Sequence, residues 1–227
     1  MMTRNQFLAA MAGSLAVKGR GATPPNSRIH IGIIGSGARG IFEAAWWAPL
    51  DACEVTAICD VQETRRLEAK AALEKLYREH ERPRRGIAMF RDYRELLERK
   101  EIDAVYIATP DHWHVTILVA ALKAGKACHC EKPLGVSVEQ EQAALRAVKR
   151  YGRPFFYGAE RRSTPDARHA VELVLNGRIG EVKQVLVASP GSLSGGSATP
   201  APVPKGFDWD MWLGPAPEAP YCPDRLE

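Results

Sequence analysis

An apolar run that breaks into three spaced glycines limits this chain more than any other feature. Ile29, Ile31, Ile33 and Ile34 lead into Gly35, Gly37 and Gly40, in the spacing G-x-G-x-x-G, and a helix-like segment from Ile41 to Ala48 follows at once. The three glycines allow, in turn, a tight turn, close backbone approach to a pyrophosphate, and close packing of helix on strand. The phosphates would lie at a helix N-terminus, where unpaired N–H groups and the dipole favour anions. Glycines also gather in ordinary turns, so context decides. A second apolar run, Val55 to Cys59, ends in Asp60, 20 residues after Gly40. That is where a dinucleotide fold places the carboxylate that binds the adenosine ribose hydroxyls. Together the two runs predict a nucleotide site.

Downstream, short apolar runs alternate with helical patterns, which predicts a parallel sheet with crossover helices. A charged helix is expected over Thr64 to His80, with Leu67, Ala71, Leu73 and Leu76 on one face and Pro83 and Gly86 as its end. Further strands are expected at Ile87 to Phe90, Ala104 to Ala108, Lys126 to Cys130 and Pro154 to Tyr157. Helices should carry Tyr93, Leu96 and Leu97; then Val115, Leu118, Val119 and Leu122, with Asp111 as cap and Gly125 as stop; then Val138 to Arg150. The fold class is therefore α/β, a Rossmann-type doubly wound parallel sheet over residues 28–158. In such sheets ligands gather at the carboxyl ends of the strands. Gly35, Asp60, Thr109, Lys132 and Gly158 all fall at those ends.

Past Gly158 the pattern changes. A helix is expected over Thr164 to Asn176, stopped by Gly177, and a strand over Glu181 to Ala188. A Gly/Ser/Pro-rich stretch from Ser189 leads to the Trp-rich segment Phe207 to Pro215. One helix, one strand and a Pro-rich tail cannot bury a core. Residues 159–227 therefore read as the start of an incomplete α+β second domain.

Charge and cysteine usage narrow the function classes. The net charge is +4, with basic residues dispersed among acids as on solvated helix faces. Only Arg82, Arg84 and Arg85 cluster, without interleaved aromatics, so nucleic-acid binding is not expected. The five cysteines follow no disulfide framework. In Cys128-His129-Cys130 a strand would direct the thiols to one face and the imidazole to the other, and no second ligand pair has zinc spacing. No metal site is expected. No run approaches the roughly 18 apolar residues of a membrane span. Residues 1–27 are laid out like a twin-arginine leader, but Asn5 stands where the second arginine of the pair belongs and no small-x-small cleavage site follows. Localisation is thus open between cytoplasm and, with a working leader, periplasm.

Thr109-Pro110-Asp111-His112-Trp113-His114, followed by Ala124-Gly125-Lys126 and Glu131-Lys132-Pro133, joins the glycine loop and Asp60 into a specific combination. These motifs resemble the Gfo/Idh/MocA oxidoreductases, continuously over about residues 29–190. Arg161-Arg162-Ser163 and Trp209 to Pro215 resemble the subgroup that often carries twin-arginine leaders, although Glu160 stands where that subgroup often has Gln. The resemblance implies an oxidoreductase acting on a sugar, cyclitol or related secondary alcohol. It implies that Gly35, Ser36, Gly37, Ala38, Arg39 and Gly40 hold the pyrophosphate and Asp60 the ribose. Because a carboxylate repels a 2′-phosphate, NAD is expected over NADP, with Arg39 leaving some room for NADP. Thr109, Pro110 and His114 would line the nicotinamide side, and Lys132 would be the active-site lysine that eases deprotonation of the substrate hydroxyl. Glu131 would hold the cofactor or orient Lys132, and Arg162 would reach the cofactor or a substrate oxygen. Family members continue into a large open sheet that supplies much of the sugar pocket, an acid/base histidine, and often the contact between subunits. Two alternatives stand beside this reading: a truncated module that binds the nucleotide without turnover, and a parent enzyme that is an NAD-dependent glycosidase.

Overall fold

The computed structural model describes residues 27–82, 86–159, 162, 164–188 and 199–226. The leader up to residue 26, Pro83, Arg84, Arg85, Glu160, Arg161, Ser163, the stretch 189–198 and Glu227 lie outside the described residues. Six strands form one parallel sheet: β1 (Ile29–Ile34), β2 (Cys53–Cys59), β3 (Ala88–Phe90), β4 (Ala104–Ile107), β5 (Ala127–Cys130) and β6 (Phe155–Tyr157). Their order is β3-β2-β1-β4-β5-β6, so the direction of winding reverses between β1 and β4. That switch point opens a crevice outside the carboxyl ends of the strands.

Helices cover both faces. On one face α1 (Ala38–Trp47) and α2 (Glu63–Glu79) bury Ala44, Trp47, Ala69, Leu73 and Tyr77 against Ile31, Ile33, Val55, Ile58 and Tyr106. On the other, α3 (Tyr93–Leu97), α4 (His114–Lys123) and α5 (Val138–Tyr151) bury Leu96, Val115, Leu118, Leu122 and Ala144 against Ile34, Val105, Ile107, Cys128 and Cys130. Each fully buried Ile or Leu contributes roughly 1.5–3 kcal/mol, so packing rather than propensity holds α2, whose surface is mostly charged. The period-2 alternation expected of Cys128-His129-Cys130 is present: both thiols enter the second core, while His129 meets Tyr106 and Phe156 on the opposite face, with ring centroids 4.9 and 4.8 Å away. All five cysteines are reduced and buried.

The helix N-termini are of two kinds, with and without a side-chain cap. Asp92 caps α3 by accepting from the Arg94 N–H at 2.8 Å, and Ser137 caps α5. The N-cap of α1 is Gly37, with no side-chain cap and no acidic residue in the first turn. Its terminal N–H groups are left for an external anion.

Three expectations change in the structure. β2 begins two residues before the apolar run, because Glu54 is buried opposite Arg28 at 4.0 Å and the strand can continue past it. Asp111 does not cap α4: it opens a 3₁₀ turn, Asp111–Trp113, and Trp113 is the N-cap, with no side-chain bond to the helix N–H groups. Glu181 to Ala188 forms no strand, because no described strand pairs with it, and Val185, Leu186 and Val187 stay 76%, 84% and 87% exposed.

The described residues fall into two units. The first ends at Gly158 and also takes in Pro204–Ala219. The second holds the described residues of Ala159–Val203 and Pro220–Glu227. In it α6 (Pro165–Leu175) starts with proline in its first turn, carries an Arg168–Glu172 pair at 2.8 Å, and buries none of its side chains. The Trp-rich segment belongs to the first unit. There α7 (Trp209–Leu213) is reached by a bridge between Gln62 and Phe207 and by the Asp208 N–H donating to Val61 O at 3.1 Å. No helix among the described residues is long and apolar enough to cross a membrane.

Candidate nucleotide site and active-site lysine

β1 delivers the chain into a turn that only glycine fits at two points. Gly35 has φ +89°, and a Cβ on it would lie 2.5 Å from the Ala108 backbone; a Cβ on Gly40 would lie 2.2 Å from Gly35 O. The Gly35 N–H donates to Cys59 O at 2.9 Å, which ties the turn to the end of β2. Ser36 is buried, and its N–H donates to Asp60 Oδ2 at 2.8 Å while its hydroxyl lies 3.3 Å from the same oxygen. Asp60 Oδ1 accepts the Gln62 N–H at 3.0 Å. The carboxylate is therefore fixed by two backbone N–H groups and the Ser36 hydroxyl, and Oδ1 retains a lone pair for a further donor. Ala38 opens α1 immediately beyond. The uncapped helix end, the cradle closed to side chains and the held carboxylate fit a dinucleotide.

Arg39 does not face that cradle. Its Nε donates to Glu131 Oε1 at 3.0 Å, and its Nη2 lies 2.9 Å from Glu131 and 3.0 Å from Glu43. Glu131 is 4% exposed and also accepts from the Tyr106 hydroxyl at 2.9 Å and from the Lys132 N–H at 3.0 Å. Burial pushes the Glu131 carboxyl up, but hydrogen bonds from Tyr106, the Lys132 N–H and Arg39 outweigh it and hold the group below its ordinary value. Burial, reinforced by the charge of Glu131, pushes the Tyr106 phenol well up, so it remains a donor. Burial likewise pushes His129 down to about 4, against the opposing pull of Glu131.

At the end of β4, His114 is 1% exposed and bridges two backbones: Nδ1 lies 2.6 Å from Pro133 O and Nε2 2.8 Å from Thr109 O. A neutral imidazole satisfies one of these carbonyls by donation; the doubly protonated ring satisfies both. Its contacts set the spacing between the β4 end and the loop after β5. Thr109 Oγ1 is buried and has no partner among the described residues. Pro110 is exposed beside it. The Lys132–Pro133 peptide is cis, and the Lys132 side chain is exposed at the carboxyl end of β5. Gly158 closes the row: its N–H donates to Cys130 O at 2.7 Å, and a Cβ there would stand 3.3 Å from Glu131 Cδ. Arg162 belongs to the second unit, where its N–H donates to Ala159 O at 3.0 Å.

The sheet thus brings Gly35 to Gly40, Asp60, Thr109, Glu131 and Lys132 to one edge. Three features escape a reading of sequence. Tyr106 looks like a core residue of β4; the signal is its hydroxyl, which needs a partner in an otherwise apolar strand. Arg65 looks like a solvated helix residue, yet its Nη1 lies 2.5 Å from where a Gly37 Cβ would be. Finally, His112 and Trp113 anchor the Trp-rich segment. Trp113 Nε1–H donates to Met211 O at 2.9 Å, and His112 Nε2 lies 2.9 Å from Trp212 O.

Comparison with known proteins agrees with this fold. The model of a family described as an oxidoreductase family with an NAD-binding Rossmann fold matches residues 29–159. A glycosyl hydrolase family 109 protein of Shewanella sp. strain ANA-3 is 33% identical over 149 residues, which cover 62% of this chain and 32% of that protein. The chain thus spans about a third of the length of this curated relative. A scyllo-inositol dehydrogenase from Lactobacillus casei, solved with NAD(H) and scyllo-inositol, is similar at 28% identity and a TM-score of 0.57, covering 68% of this chain and 43% of its own. A mutant 3-ketoreductase from Actinomadura kijaniata, solved with TDP-benzene and NADP, is similar at 26% identity and a TM-score of 0.58, covering 68% of this chain and 46% of its own.

Proposed function

The chain belongs to the Gfo/Idh/MocA oxidoreductase family, with that family's NAD-binding Rossmann domain, and from this premise we propose that it supplies the cofactor site and the active-site lysine of a dehydrogenase acting on a sugar, cyclitol or related secondary alcohol. One observation carries the reading. The glycine cradle after β1, Asp60 after β2 and Lys132 after β5 stand at the carboxyl ends of one parallel sheet, and Glu131 ties α1, through Arg39, to the backbone of Lys132.

In this reading the N–H groups of Gly37 to Gly40, at the open end of α1, receive the pyrophosphate, and Asp60 accepts the ribose hydroxyls. Thr109 Oγ1, Pro110 and the loop that His114 braces line the nicotinamide side. NAD, when bound, supplies the hydride-accepting ring. Lys132 presents an ammonium to the substrate oxygen and lowers the cost of the alkoxide that develops as the hydroxyl loses its proton. Glu131, kept ionised by three donors, fixes the backbone that carries Lys132.

Calorimetric titration tests this directly. NAD should bind, and Asp60→Ala should weaken it by about tenfold or more, the loss of one or two charge-assisted hydrogen bonds. Absence of NAD binding in a folded sample overturns the reading. Turnover is a separate matter: reduced nicotinamide formed from cyclitols supports the dehydrogenase, and binding without turnover supports a nucleotide-binding module. The glycosyl hydrolase among the relatives favours a second reading, in which the same redox chemistry serves glycoside cleavage. Release of the aryl group from aryl glycosides in the presence of NAD would favour it.

A further inference from the structure

The guanidinium packed against Gly37 is that of Arg65. Arg65 lies in the first turn of α2, half-buried, and sends its guanidinium back over the turn, with Nη1 2.5 Å from the position a Cβ on Gly37 would take. Its Nε donates to Gln62 Oε1 at 2.7 Å, and the Gln62 N–H donates to Asp60 Oδ1 at 3.0 Å. Arg65, Gln62 and Asp60 are thus one hydrogen-bonded group at the end of β2. No described carboxylate lies within ion-pair distance of Arg65, whereas Arg39 is held by both Glu43 and Glu131.

We propose that Arg65 lets this site accept a 2′-phosphate, so that the chain binds NADP as well as NAD, and that Arg65 sets the ratio between them. The proposal rests on the dinucleotide reading of the site above. Asp60 alone would repel a phosphate placed on the hydroxyl it binds. A guanidinium in the same group opposes that repulsion, and its planar fork matches phosphate oxygens in pairs. Gln62 holds Nε, which leaves both terminal nitrogens as donors.

The test is titration of the wild-type chain, Arg65→Ala and Arg65→Lys with NAD and with NADP. The wild type should bind NADP within about tenfold of NAD. Arg65→Ala should weaken NADP at least about tenfold and NAD less than about threefold, with retained NAD binding reporting a folded site. Arg65→Lys should recover part of the NADP affinity, since it keeps charge and loses the fork. Rejection of NADP by the wild type beyond about a hundredfold overturns the proposal, as does an equal loss of both cofactors in Arg65→Ala. A folded wild type that binds neither cofactor overturns instead the dinucleotide reading on which the proposal rests.

Discussion

The Tyr106 hydroxyl on β4 donates to Glu131 Oε1, one residue past the end of β5, at 2.9 Å, and so fastens the backbone of Lys132 from within the core. Tyr106→Phe should cost about 1–3 kcal/mol, because it leaves a buried carboxylate oxygen short of a donor. The folded-state value of Glu131 lies below its ordinary 4.5, so its stabilisation is complete above pH 4.5 and is lost as pH falls through the lower folded value. The variant should flatten that acid limb. Urea denaturation of both proteins across the acid range checks this.

His129 titrates the same way in a different window. Half-buried among Trp47, Tyr106 and Phe156, with Glu131 and Arg39 as the charges that act on it, it falls from an ordinary 6.5 to about 4. The unfolded chain then binds the proton first as pH drops, so stability is complete above pH 6.5 and is lost down to about pH 4. A shift of that size corresponds to about 3 kcal/mol. His129→Phe should remove this slope, read as melting temperature against pH, while the Glu131 limb persists.

Gly40→Ala should abolish NAD binding and destabilise by about 1–3 kcal/mol, since its methyl would stand 2.2 Å from Gly35 O and neither backbone can yield cheaply. Thermal unfolding and cofactor titration on one sample separate the two effects.

Lys132→Ala should leave stability within about 0.5 kcal/mol of wild type, because the side chain is exposed and packs no core. A larger loss, measured by denaturant unfolding, would mean that the lysine braces the loop rather than facing a substrate.

Trp113→Phe should cost about 1 kcal/mol and raise amide exchange in Gly206–Ala219 ahead of the sheet, since it deletes the N–H that holds Met211 and Trp212. Exchange followed by mass spectrometry resolves the segment.

The sheet was readable because its strands are short apolar runs punctuated by glycine and proline, and that pattern survives any detail of packing. The glycine cradle and Asp60 were readable because their spacing is itself the geometry. Pairing was not. Arg39 lies inside the motif, and nothing local says that it turns toward Glu131, 92 residues on. Arg65 points back over Gly37 for the converse reason: Gln62, three residues before it, holds it there. Asp111 has the right chemistry for a cap, but the 3₁₀ turn places Trp113 at that position instead. Glu181 to Ala188 read as a strand by their pattern, and pattern cannot supply the neighbour that a strand must bond.

Trp113 and Met211 meet across 98 residues of chain, and Gln62 and Phe207 across still more. On a ribosome the six strands can therefore assemble and pack before the segment that completes their rim has been synthesised. For that interval Trp113 lacks its carbonyl acceptors and the α2 entrance lacks its cover, which makes this rim the part of the nascent domain most open to chaperones and to wrong partners.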